Sequence, residues 1–218
     1  TAATLTIGPG ITIHGTQGGT IANFYTQDSI INQGTINADT AVKAITVSVA
    51  AWMNSGVLSA SAGTLSLGGG WTNTGTLALG SGTLNLGGTF ALAAIGTLNR
   101  TGGTLNITGV LDNTGTTLTL NAATGSWNLS GGTIRNGTVT GSEGSQLTVN
   151  TGTLDGVTLN ANLTVSNAGS LTVKNGLTLN ANLTIASTGN NTNVFFQGTQ
   201  TLSGTGQVVY GGSSGSNI

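Results

Sequence analysis

Charge is the scarcest property of this chain. Four Lys or Arg, five Asp or Glu and one His stand in 218 residues, so 4 % of positions are charged and the net charge is −1. Ordinary soluble domains carry about 25 % charged residues. Four cationic side chains cannot neutralise the phosphates that a nucleic-acid binder must contact. Cysteine is absent, which excludes a disulfide-stapled fold and a Cys–zinc site. No apolar run approaches the roughly 18 residues of a membrane span. The first 20 residues lack a basic segment followed by an apolar one, so no signal-peptide pattern is visible there. No helix-length amphipathic stretch occurs either.

What replaces charge is hydroxyl and amide. There are 38 glycines and roughly forty threonines, with Asn and Ser the next most frequent polar residues, a strong compositional bias. Disorder is the competing reading of such a chain. It fails because 37 % of residues are hydrophobic and regularly placed, whereas disordered chains lack the apolar surface to offset their conformational entropy.

The apolar residues alternate with polar ones in short runs: Thr64-Leu65-Ser66-Leu67, Thr83-Leu84-Asn85-Leu86, Thr104-Leu105-Asn106-Ile107, Leu163-Thr164-Val165. On a strand, successive side chains point to opposite faces, so each run buries its branched residues and exposes Thr, Asn or Ser. A second regularity is a phrase: apolar, any residue, Asn, then Gly one or two positions on. It occurs at Ile30, Trp52, Trp71, Leu111 and Ile134, spaced by about 20 residues or a double interval, the signature of an array of similar units.

Together these predict an all-β fold: a single-stranded, right-handed parallel β-helix, or β-solenoid, with coils of about 20 residues. The hand follows from the usual chirality of parallel crossovers. Residues 1–218 are expected to form one solenoid domain cut from a longer repeat protein, with 213–218 as a flexible tail. Ile30, Trp52, Trp71, Phe90, Leu111, Ile134 and Leu154 should form one inward column, with Trp52 and Trp71 in consecutive coils and stacked face to face, offset. Leu65, Leu84, Leu105, Trp127 and Leu147 should form another. Asn32, Asn54, Asn73, Asn113 and Asn136 should lie at a corner as an amide ladder, each followed by a Gly at positive φ, with Asn162 and Asn182 as a second pair. Leu92 and Gly156 interrupt the Asn column and predict irregular corners.

The phrases GTLNLGG, GTLNITG, GSWNLSGGTI, TLDGVTLNANLTV and NGLTLNANLTI resemble the Thr/Asn/Gly repeats of large bacterial surface and secreted β-helix proteins, among them filamentous-haemagglutinin-like and autotransporter-type adhesins. The resemblance covers essentially residues 1–212. It implies a β-helix in an extracellular or bacterial cell-surface setting. Secretion motifs of the NPNG or NPNL type, usual in the haemagglutinin-type exoproteins, do not occur.

Chemistry-bearing residues are few. Asp112, Arg135 and Asp155 align at one outward position of successive coils, and are read as a surface ion-pair column of small energetic value. His14 has no carboxylate near it in sequence and reads as a solvated residue. No P-loop, G-x-S-x-G, H-E-x-x-H or EF-hand pattern appears, so no catalytic residue, metal site or cofactor is expected. Tyr25 and the pair Phe195-Phe196 are the aromatics to consider for sugar contact, with core or end-capping roles preferred. Outward Thr, including Thr164 and Thr184, fall on a grid of about 6.7 by 4.8 Å that approximates spacings of ice. The expectation is therefore a non-enzymatic structural or adhesive shaft, with ice or carbohydrate binding as the alternative and polysaccharide degradation less favoured. Its partners would be surface glycans or other copies docked end to end through Thr4–Ile7 and Gln207–Tyr210, with no nucleic acid and no transmembrane segment.

Overall fold

A computed structural model describes residues 2–213. Every regular element among them is a β-strand apart from one 3-10 turn, Leu92–Ile95. The strands pair in parallel, and the partner of each residue lies about one coil away: Asn85 meets Asn106, 21 residues later. The protein is a β-solenoid. Residues 214–218 of the expected tail lie outside the described residues, while the Ser213 N–H donates to the Ser187 carbonyl at 3.0 Å.

The chain divides into two compact units, Thr1–Gly109 and Val110–Ile218. In the first, a coil carries three strand segments, as in Thr64–Asn73, whose two halves flank Gly69 at φ 73°, followed by Thr76–Leu79. Inward residues stack into columns by strict register. Ile45, Leu65, Leu84 and Leu105 form one. Ile36, Leu58, Leu77 and Leu98 form another. Ile30, Trp52 and Trp71 form a third, which Phe90 continues by stacking on Trp71 at 5.0 Å and 25°. Each side chain is covered above and below by its equivalents, which is why Leu65, Leu84 and Leu58 are fully buried. Full burial of such a side chain contributes about 1.5–3 kcal/mol.

Trp52 and Trp71 do occupy adjacent coils, but they do not lie face to face. Their rings are tilted by 32° with centroids 6.3 Å apart. Each indole Nε1–H donates to a backbone carbonyl 16 residues on, Gly68 for Trp52 and Gly87 for Trp71, both at 2.9 Å. Satisfying that donor sets the ring plane, because a buried indole N–H needs a partner.

The second unit repeats the design. Trp127, Leu147, Leu163 and Leu183 form one inward column, and Leu111, Ile134, Leu154 and Val173 another. Leu118, Val139, Leu159 and Leu179 form a third.

Candidate functional site

The corner marked by the repeated phrase holds the first unit together. Asn32, Asn54 and Asn73 are buried and bond in series: Asn32 Nδ2 donates to Asn54 Oδ1, and Asn54 Nδ2 to Asn73 Oδ1, both at 2.6 Å. Asn73 Nδ2 then donates to the Ile95 carbonyl at 2.8 Å. That carbonyl belongs to the 3-10 turn that interrupts the column at Leu92. Each amide also reaches the carbonyl of the glycine two residues on. The Oδ1 of Asn32, at the foot of the series, is buried without a partner. Its neighbour in the preceding coil is Ile7, which has no side-chain donor.

The glycines of this corner are needed for a different reason from the one expected. Gly34, Gly56 and Gly75 are not at positive φ. A Cβ on Gly56 would fall 2.1 Å from the Gly34 carbonyl oxygen, and one on Gly75 would fall 2.1 Å from that of Gly56. Successive corners approach so closely that only hydrogen fits between them.

In the second unit the phrase behaves differently. Asn113 is buried, and its Nδ2 donates to the Thr138 carbonyl at 2.9 Å. Asn136 adopts φ 57°, as does Gly137 at 63°, and its Nδ2 donates outward to Thr114 Oγ1 at 2.8 Å. The amide bond of Asn136 therefore goes to a hydroxyl and not to Asn113. The phrase is one residue shorter there, and the chain turns by placing the Asn itself in the left-handed region that Asn tolerates. Asn175-Gly176, with φ of 53° and 88°, repeats that turn. Asn162 and Asn182 bond through the Asn182 backbone N–H to Asn162 Oδ1 at 3.1 Å, so they form no amide–amide rung.

Asp112, Arg135 and Asp155 stand in one register, and Lys174 follows. Signs alternate along the column. Arg135 Nε lies 3.9 Å from Asp155 Oδ2 on a largely solvated face. Asp112 is engaged locally: its Oδ1 accepts from the Thr114 hydroxyl at 2.6 Å and backbone N–H at 3.1 Å, and these bonds hold its carboxyl below the usual carboxylate range. Asp155 Oδ1 accepts from Asn175 Nδ2 at 2.6 Å.

The histidine departs from expectation. His14 has a carboxylate partner: its Nδ1 lies 2.8 Å from Asp39 Oδ2, one coil on. Asp39 also accepts from the Gly15 N–H and the Thr40 hydroxyl. The His14 bond, foremost, holds the Asp39 carboxyl below its ordinary value. Lys43 Nζ donates to Gln17 Oε1 at 3.1 Å beside it. The signal that could have found the pair is the long first coil: Leu5 meets Ile30, and the same 25-residue offset carries His14 to Asp39.

The aromatic candidates are exposed. Phe24 and Tyr25 contact edge to face at 4.7 Å and project from a bend, with Phe24 87 % exposed. Phe195 pairs with outward Thr172, whereas Phe196 pairs with inward Val173 and, though 45 % exposed, borders a small apolar cleft with Leu183, Ile185 and Tyr210.

Outward Thr form registered columns. Thr148, Thr164 and Thr184 make one. Thr117, Thr138, Thr158 and Thr178 make a second. Two residues along the same strands a parallel row runs through Thr119, Thr140 and Asn160, and Asn180 Nδ2 donates to Asn160 Oδ1 at 2.8 Å. This two-column face bears no ionisable side chain. Beside it lies a groove of about 460 Å³, lined among others by Thr158, Thr178, Asn175, Thr199, Gln200 and Thr201. No three His, Cys, Asp or Glu side chains gather to hold a metal among the described residues, and no helix there is long and apolar enough to cross a membrane.

Compared with family models, curated proteins and solved structures, the chain matches none.

Proposed function

We propose that this chain is a non-enzymatic structural or adhesive shaft of a bacterial cell-surface or secreted protein. The observation that supports it most is the unbroken stacking of inward columns within each unit beneath an exterior of Thr, Asn and Ser. Such an interior resists deformation because strands inside the stack pair with the coils on both sides and their inward residues are covered by their equivalents. The exterior carries few charges to engage a charged partner, and its hydroxyls and amides suit a carbohydrate-rich surface. Leu5 and Val208, exposed in the strands Thr4–Ile7 and Gln207–Gly212, are where a second copy would add its own strand.

The reading is tested by incubating the protein with a polysaccharide panel and measuring new reducing ends. A shaft releases none. Release that disappears in Asp112→Asn or Asp155→Asn would replace this reading with an enzymatic one.

A second reading, ice binding, is favoured by one feature, the paired rows Thr117/Thr119 and Thr138/Thr140 continued by Thr158/Asn160. It predicts thermal hysteresis that is abolished by Thr138→Tyr. An unshaped ice crystal in millimolar protein removes it.

A further inference from the structure

The groove beside the Thr/Asn face is a concavity where polar side chains converge without being used up by the fold. Its floor is a run of outward residues from successive coils, Thr158, Thr178 and Ser203. Its far wall is the segment 198–201, four residues between Gln197 and Leu202 where the preceding coil has only Asn175-Gly176 between the paired positions Lys174 and Leu177. Gln200 fixes that wall. Its Nε2 donates to the Val173 and Gln197 carbonyls at 2.9 and 3.0 Å, and its Oε1 accepts from the Gly176 N–H at 3.0 Å. Both donors of the Gln200 amide, and one acceptor site of its oxygen, are taken by backbone groups, so the wall is held in place before any ligand arrives.

The hydroxyls facing the space are largely uncommitted. Thr178 Oγ1 and Ser203 Oγ share one bond at 3.2 Å. The side-chain hydroxyls of Thr158, Thr199 and Thr201 have no hydrogen-bond partner among the described residues, nor does Asn175 Oδ1, whose Nδ2 is taken by Asp155. Each Thr or Ser hydroxyl offers one donor and two acceptor sites, and the Asn oxygen adds acceptors. No ionisable side chain lines the groove. A phosphate, carboxylate or ammonium ligand would find no counter-charge, and an apolar ligand would strand the hydroxyls without water. A ligand that both donates and accepts many neutral hydrogen bonds fits. Pockets of about 300–1,000 Å³ hold small molecules, and at about 460 Å³ this one has room for one or two sugar rings.

We infer that this groove binds a short, uncharged saccharide, with Thr158, Thr178, Thr199, Thr201 and Asn175 as its hydrogen-bonding contacts. With no aromatic side chain to stack on a sugar ring, binding is weak, with Kd about 1 mM. The inference is independent of whether the chain serves as a shaft, which the reducing-end assay decides.

The test is a titration of the full chain, labelled with 15N, with neutral glucose-, galactose- and N-acetylglucosamine-based disaccharides and with an anionic galacturonate disaccharide as control. The expected result is a saturable shift of the Thr158, Gly176 and Thr201 amides with at least one neutral sugar. It should weaken about five-fold or more in Thr158→Val and vanish in Thr178→Tyr, which fills the groove from an outward strand position. Amides distant from the groove should keep their wild-type positions in both variants, showing that they fold. The inference is overturned if no neutral disaccharide shifts these amides at 50-fold above the expected Kd. It is also overturned if Thr178→Tyr binds as wild type does, or if the galacturonate control binds as tightly as the neutral sugars.

Discussion

Asn54 and Asn136 occupy the same place in the repeated phrase and have opposite duties. Asn54 is buried between two other amides and also donates to the Gly56 carbonyl, so Asn54→Ala removes three bonds and opens a small void. A cost of about 2–4 kcal/mol is expected in urea denaturation. Asn136 bonds at the surface and sits at φ 57°, where glycine is less strained than any other residue. Asn136→Gly should change stability by less than about 1 kcal/mol; a loss as large as that of Asn54→Ala would show that both amides belong to the corner's interior. Glycine divides in the same way. Gly56→Ala would drive a methyl into the Gly34 carbonyl and should cost about 3 kcal/mol or more, whereas Gly115, at φ 69° with open space around it, should lose about 1 kcal/mol. Sequence alone gave the spacing of these residues but not this division, because Asn-x-Gly can make a corner by close packing or by a left-handed turn, and the two differ only in how neighbouring coils approach. Asp39 adds a pH dependence. The Asp39 carboxyl is held below 3.8 in the folded protein, so its tether to Gly15 and His14 is complete above that pH and is lost as pH falls through the lowered folded value. Protection of the Gly15 amide from hydrogen exchange should fall with it, and Asp39→Ala should remove that step from the profile.

At the scale of the strand, the alternation of Leu with Thr and Asn already specified which face was buried, and register followed from the repeat interval. Trp71 shows how much one inward position carries: it stacks on Phe90, touches Trp52 and donates to Gly87. Trp71→Ala should cost about 3–5 kcal/mol in the same denaturation experiment. The outward column of Asp112, Arg135, Asp155 and Lys174 should carry little. Arg135 is half-exposed and 3.9 Å from its nearest carboxylate, so Arg135→Ala should shift stability by under about 1 kcal/mol. A larger loss would mean that alternating sign sets the coil register. The groove was not legible in the sequence. It arises because the segment 198–201 puts four residues where the preceding coil has only Asn175-Gly176, and the repeat interval already drifts along the chain, so the two extra residues do not stand out in the sequence. Gln200 marks it only once the partners of its amide are known.

For the whole molecule, scarcity of charge has a measurable outcome. A net charge of −1 spread over 218 residues leaves little long-range electrostatic energy to screen. Stabilities extrapolated from urea and from guanidinium chloride should therefore agree within the roughly 15 % error of extrapolation, although only the second denaturant is a salt. A clear disagreement would mean that the few ion pairs matter more than their geometry indicates. The glycine-lined corner has a consequence for heredity. Asn32, Asn54 and Asn73 each precede, by two residues, a glycine, and Gly56 packs on Gly34 as Gly75 packs on Gly56. Removing residues 55–73 joins Asn54 to Thr74 and Gly75, so the junction keeps Asn, one free residue and Gly, with Asn54 still bonded to Asn32. Recombination between two copies of the phrase in the coding sequence thus adds or deletes an entire coil and leaves no scar. Length can then change by whole coils while the kind of bond that joins one corner to the next is kept.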